Sequence, residues 1–430
     1  MKKITIGLLL LMVSNVAVFA QDLKKVRTAL TLSFIAGGDA KLEEAKAEID
    51  KAQADPKATA KVDYYLLRAE IYGLIAGNDA LRAKYPDAAK QGLPALKKYL
   101  EMEPSFEKFK EDNYAGINGI YSAFFNNGIN DFNAKNWDAA YNNFKDVVEV
   151  SDIMIKNKWT TSIFDTTANL YAGISSQNAN KEDESLKYYE KLADMKLKAK
   201  DYEHIYVFLP QYYTKKKDEV NFKKYLNLGK QVYPEKTFWN DMEFEYITSN
   251  LLLAEITKKF DEAYASNKLT SETAMDYGNF FFNDKRIKEL KPEEKKVFTE
   301  KATAAFKKAS ELDPANVLAT YNVAISYYVQ WEEAADAASN IKGITPEIKA
   351  KRAQADKEAI AASDRAIDPL EKAYKQLNEK ADKSKIEKNS ETTAAKFLAA
   401  IYAWRRDKAK GKAAEYDMYD KKMQFYDKKY

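Results

Sequence analysis

Cysteine is absent from all 430 residues. That excludes disulfides, thiolate metal sites, cysteine nucleophiles and lipid attachment through an N-terminal cysteine. Histidine occurs once, at His204, so a histidine-rich metal centre or a Ser-His-Asp triad would have to be built around a single imidazole. Glycine and proline are scarce, at 14 and 10 residues, and no Gly-rich phosphate loop, nucleophile elbow or calcium loop can be read. Beyond the first residues, no stretch stays apolar for the roughly twenty positions a membrane-spanning helix needs. A charge of one sign is missing too. The chain carries 69 basic and 65 acidic residues, a net +4, which gives no general drive towards nucleic acid or anionic lipid. These absences predict a protein with no catalytic centre, no cofactor, no metal and no nucleic-acid partner.

What is present favours helix. Hydrophobic residues make up 46% of the chain, enough to bury a core, and Lys, Glu, Ala, Leu and Tyr dominate. The start has the layout of a secretory leader: Lys2 and Lys3, a short apolar stretch at 4–13 broken by Ser14 and Asn15, then Val18 and Ala20 ahead of Gln21. The expected cut lies between Ala20 and Gln21, leaving a periplasmic or secreted mature chain. From Asp22 onward apolar residues fall at helical spacing, as at Leu42, Ala45, Ile49 and Ala52. Gly37-Gly38-Asp39 reads as a helix end. Thr345-Pro346-Glu347 and Lys291-Pro292-Glu293-Glu294 read as helix starts, with proline in the first turn and an early acid.

The helices repeat. Gly128 precedes Trp137, Ala140, Phe144 and Val147; Gly173 precedes Ser185, Tyr189 and Leu192; Gly278 precedes Phe306, Ala309 and Pro314. Phe222, Leu226 and Gly229 are followed 34 residues on by Ile256, Phe260 and Ala263. Proline closes helix pairs at Pro104, Pro234 and Pro314. The 34-residue step, the small residue of the first helix, the Ala and aromatic face of the second and the closing proline together resemble the tetratricopeptide repeat family. The leader and the opening helix at 42–52 also resemble exported repeat proteins of the Bacteroidetes. The resemblance implies an all-α solenoid, a superhelix of antiparallel helix pairs. Units are expected near 26–60, 61–106, 121–154, 166–200, 203–236, 237–270, 271–316 and 317–380, with capping helices at 391–430. Pro210 holds one small-residue place, and extra residues fall at 284–295 and 332–368.

In that family the first helices line a face that accepts peptides. Carried over residue by residue, the face here is Asn133, Gln177, Asn178, Gln211, Lys215, Asn279, Asn283 and Tyr328. Amide side chains both donate to and accept from a main chain, which fits an extended peptide. The expected function is therefore a non-catalytic exported scaffold that binds a protein or peptide. A glycan-binding helper using exposed aromatics such as Trp404 is the second reading, and an unrecognised enzyme the third. His204, within Asp201-Tyr202-Glu203-His204, reads as a surface or packing residue at a helix start, the alternative being a base or ligand oriented by the two acids. Arg405 and Arg406 beside Trp404 suggest stacking, and Lys215-Lys216-Lys217 and Lys421-Lys422 suggest contact with acids.

Overall fold

The computed structural model describes residues 23–103 and 114–430. The leader, its cut before Gln21 and the closing Pro104 lie outside the described residues. The chain divides into two compact units, one ending at Glu235 and the other starting at Lys236. Among the described residues there is no strand. The first unit holds α1 Leu23–Leu32, α2 Gly38–Ala52, α3 Pro56–Thr59, α4 Val62–Gly77, α5 Asp79–Lys84, α6 Ala88–Met102, α7 Ala115–Asn133, α8 Trp137–Lys156, α9 Thr166–Asn178, α10 Glu182–Asp194, α11 Glu203–Lys216 and α12 Glu219–Val232. The second holds α13 Phe238–Asn250, α14 Leu253–Ala265, α15 Ser271–Asn283, α16 Lys285–Lys288, α17 Pro292–Leu312, α18 Val317–Asn340, α19 Pro346–Glu379, α20 Lys385–Lys408 and α21 Ala413–Asp427. No described helix is long and apolar enough to cross a membrane.

Sequence neighbours pack as pairs: α4 with α6, α7 with α8, α9 with α10 and α11 with α12 in the first unit, then α15 with α17, α18 with α19 and α20 with α21 in the second. This is the stacking of an all-α solenoid, in which no pair can bury its apolar stripe alone. Residue 391 falls inside α20, so the last pair begins at Lys385.

The small residues read from the sequence each lie under a ring. A Cβ on Gly128 would sit 2.9 Å from Phe144 Cζ, one on Gly173 2.4 Å from Tyr189 Cε1 and one on Gly278 2.5 Å from Phe306 Cδ1. The rings are buried at 2% exposure or less. A tighter approach joins α4 to α7. There a Cβ on Gly73 would meet the Gly116 carbonyl oxygen at 2.0 Å, and one on Gly119 would meet the Gly73 carbonyl oxygen at 2.0 Å. Backbone lies on backbone at this crossing, and only glycine permits it.

Helix starts follow the sequence signals. Thr345 Oγ1 accepts from Ile348 N–H at 3.3 Å ahead of Pro346. At the next such site Lys291 N–H donates to Glu294 Oε2 at 3.2 Å. Gly38 turns the chain from α1 into α2 with φ of +45°. Helix ends depart from expectation, because left-handed Lys and Asn residues do what glycine usually does. Lys135, Asn180 and Lys217 have φ near +60° (61°, 59° and 58°). The next N–H then reaches back to the helix: Asn136 to Asp131 O at 2.8 Å, Lys181 to Ser176 O at 2.8 Å and Asp218 to Tyr213 O at 3.0 Å.

Tyrosine is more than filler. Its rings pack between helices while its hydroxyls donate to carboxylates of other helices. Tyr141 reaches Glu184 at 2.8 Å, Tyr121 reaches Asp165 at 2.8 Å, and Tyr213 and Tyr225 share Glu190 at 2.5 and 3.0 Å. A buried phenol needs a partner for its hydroxyl, and these acids supply one across the pair boundary.

Candidate functional site

Two leading helices of the first unit, α7 and α9, differ chemically from the helices that follow them. Across α7 the only charged residue is Asp131, and α9 has none. Their partners are dense in charge, with six charged residues on α8 and seven on α10. The exposed face of α7 is a row of small polar groups, Asn118, Ser122, Asn126, Asn130 and Asn133. Their spacing of four, four, four and three keeps them on one side of the helix. Among the described residues their side chains make no hydrogen bond. On α9, Thr167, Leu170, Ile174 and Gln177 follow at spacings of three, four and three, with Asn178 beside the last. Leu170 and Ile174 are half-buried, as are Ile129 on α7 and Val207 on α11, so apolar patches alternate with amides.

The leading helices meet through specific contacts. Phe132 of α7 packs edge-on to Tyr171 of α9, centroids 5.1 Å apart at 90°. Between α9 and α11 the link is the Tyr189 hydroxyl, which donates to Gln177 Oε1 at 2.8 Å and lies 3.3 Å from His204 Nε2. His204 is half-buried with its ring edge-on to Tyr189. Burial pushes its pKa below the ordinary value, with the Asp201 carbonyl and carboxylate opposing. A neutral imidazole at the start of α11, held by ring contact, is a packing residue.

The eight residues named from the sequence scatter. Asn133 and Gln211 are exposed on the first unit, and Asn279 and Asn283 are exposed on α15 of the second. Gln177 is taken up by Tyr189, and Asn178 donates to the Ile174 carbonyl at 2.9 Å. Lys215 pairs with Glu182 at 2.8 Å. Tyr328 requires correction, because it is 7% exposed and stacks on Phe397 with centroids 3.7 Å apart; it is a core ring of the second unit. Asn118, Ser122, Asn126 and Asn130 were missed. Counting charge helix by helix would have found them, whereas fixing the register on one glycine did not.

Other sequence hints resolve internally. Trp404 is half-buried, edge-on to Trp331 at 78°, with Lys408 Nζ 5.4 Å from its ring centroid. Arg405 pairs with Asp364 at 2.9 Å and Arg406 with Asp420 at 3.1 Å. Lys216 pairs with Asp183, and Lys422 with Glu371. Among the described residues no group of three or more His, Asp or Glu side chains is placed to hold a metal.

In the second unit the leading face is acidic at α15. Burial raises the Asp276 carboxyl to about 6, with the charges of Asp241 and Glu272 adding to the shift. A raised folded-state pKa means that stability is full below the unfolded value near 3.8 and falls as pH rises through 6. Asp276→Asn is therefore expected to stabilise the second unit at pH 7 by about 1 kcal/mol, after discounting for partial exposure. At pH 4 it should change little. Urea melts of both proteins at the two pH values measure this.

No family model and no curated protein matches the chain. Alignment with solved structures covers 92% of this chain and 80% of the human IFIT1 dimer with m7Gppp-AAAA, at 12% identity and a TM-score of 0.17. It covers 93% of this chain and 90% of an IFIT1 monomeric mutant with Gppp-AAAA, again at 12% identity and 0.17. Superposition this poor carries no argument about either fold or ligand.

Proposed function

We propose that this is an exported, non-catalytic scaffold of the tetratricopeptide type, which binds an extended, largely uncharged segment of another protein along α7, α9 and α11. The observation that carries the reading is the charge asymmetry. One charge stands on α7 and α9 together, against six on α8 and seven on α10. Burying a charged side chain against a partner costs several kcal/mol unless it is paired. Burying an amide costs far less when it bonds a main chain. The row from Asn118 to Asn133 offers both donors and acceptors at helical rise, and the half-buried Ile129, Leu170, Ile174 and Val207 can receive apolar side chains between them. The tetratricopeptide assignment draws support from the ring over each glycine, sixteen residues on at Gly128 and Phe144 and again at Gly173 and Tyr189. The glycan reading loses its named platform, since Trp404 is packed against Trp331.

The test is selection of displayed random peptides against the mature chain, followed by titration. Selected peptides should be poor in Asp, Glu, Lys and Arg. Asn126→Glu/Asn130→Glu should weaken them by about a hundredfold, because each new carboxylate is buried without a partner. Failure to select any peptide, or selected peptides whose affinity ignores the double substitution, would sink the proposal.

A further inference from the structure

The trailing helices of the first unit enclose two adjoining clefts. One, of about 400 Å³, lies between α6 and α8 over Phe124 of α7. The other, of about 590 Å³, continues it between α6, α8 and α10. Lys97 and Glu149 line both and form an ion pair with each other. The larger cleft has lysines on its walls and an apolar floor of Val148, Ile153 and Tyr188.

The charges there are not balanced in place. Lys187 pairs with Glu184 at 2.8 Å. Lys145, Lys156 and Lys191 have no carboxylate within ion-pair distance among the described residues, and all three are exposed. Lys145 and Lys156 are eleven residues apart on α8, three helical turns, so they stand on one side about 16 Å apart along its axis. Lys191 faces them from α10. The larger cleft is lined by five lysines, Lys97, Lys145, Lys156, Lys187 and Lys191, against two acids, Glu149 and Asp152, so its lining is net positive.

Asp146 adds an acceptor to the lining. It lines the smaller cleft, is half-buried, and has neither hydrogen bond nor ion pair among the described residues.

We infer that this double cleft is a second binding site, distinct from the face of α7, α9 and α11, and that it takes an acidic peptide segment with carboxylates spaced between apolar side chains. Lys145, Lys156 and Lys191 pair with its acids, Val148, Ile153 and Tyr188 receive its apolar side chains, and Asp146 accepts a main-chain N–H. A uniformly charged polymer fits less well. Asp146, Glu149 and Asp152 alternate with the lysines along α8 and would repel a charge at every unit, whereas a peptide can present neutral N–H groups to them.

The probe is a labelled peptide alternating Glu or Asp with Leu or Val, titrated into the mature chain by fluorescence anisotropy. Binding should saturate and should fall steeply between low salt and about 0.15 M. Lys145→Gln/Lys156→Gln/Lys191→Gln should weaken it by about tenfold or more. All three side chains are exposed, and an unchanged circular dichroism melt shows that the variant is folded. Asn126→Glu/Asn130→Glu, which acts on the other face, should leave this binding intact, so the two sites fail or stand separately. Absence of peptide binding, undiminished binding by the triple variant, or binding of polygalacturonate in place of the peptide would overturn the inference.

Discussion

Gly73→Val is expected to unfold the first unit under conditions where the wild type is stable. The Cβ would lie 2.0 Å from the Gly116 carbonyl oxygen and 2.8 Å from its Cα. No rotamer relieves that contact, since both groups are main chain. α4 and α7 would have to separate, and α4 carries Leu67, Ile71 and Ile75, each at 1% exposure or less. Overpacking that cannot relax typically costs 1–3 kcal/mol, and more when main chain collides. A loss above about 3 kcal/mol is the expectation. Gly128→Ala provides the graded comparison. Its Cβ would meet the Phe144 ring at 2.9 Å, and a ring can tilt, so about 1–2 kcal/mol is expected. Urea melts followed by circular dichroism should show this order. A Gly73→Val protein that melts like the wild type would refute the backbone-on-backbone crossing.

The second large effect belongs to the other unit. One oxygen of Glu371 on α19 accepts from Lys422 Nζ at 2.8 Å, the Tyr402 hydroxyl at 2.9 Å and the Tyr426 hydroxyl at 3.1 Å. Tyr402 lies on α20, Lys422 and Tyr426 on α21, so one carboxylate ties three helices. Tyr402 and Tyr426 are only 5% and 6% exposed. Glu371→Ala would strip both phenols of this partner, at about 1–3 kcal/mol for a buried polar group left unsatisfied, and should release α21. Burial raises the pKa of Glu371, but Lys422 and the two hydroxyls outweigh it and hold the carboxyl below its ordinary 4.5. A depressed carboxylate contributes stability above the unfolded pKa and loses it as pH falls through the folded one. The gap between wild type and Glu371→Ala should therefore be full at pH 7 and narrow as pH falls below the ordinary 4.5 and through the lower folded-state value. A gap that persists in acid would mean that Glu371 acts by packing alone.

Much of the architecture is legible in the sequence because its signals are local. Helical spacing, the Thr345-Pro346 start and the glycine beneath an aromatic residue each depend on residues within a turn or a pair. The 34-residue step also marks buried faces: Phe222, Leu226, Ile256 and Phe260 are all at 2% exposure or less. Three features escaped. Helix ends at Lys135, Asn180 and Lys217 carry no glycine, so turn chemistry gives no warning of them. The crossing at Gly73, Gly116 and Gly119 joins residues more than forty positions apart, and no periodicity announces it. Repeat register places Tyr328 on a surface where the ring is core, and offers to a partner Gln177 and Lys215, which Tyr189 and Glu182 already engage. Charge distribution helix by helix is the better guide, because an interface is limited by the charges it must desolvate.

Photo-crosslinking tests the neutral face most directly. A benzophenone side chain placed at Asn126 or Ser122 on α7 should capture a selected neutral peptide, and the same group at Asp138 on α8 should not. Capture confined to α8, or equal from all three positions, would contradict the claim that the charge-poor helices form the binding surface.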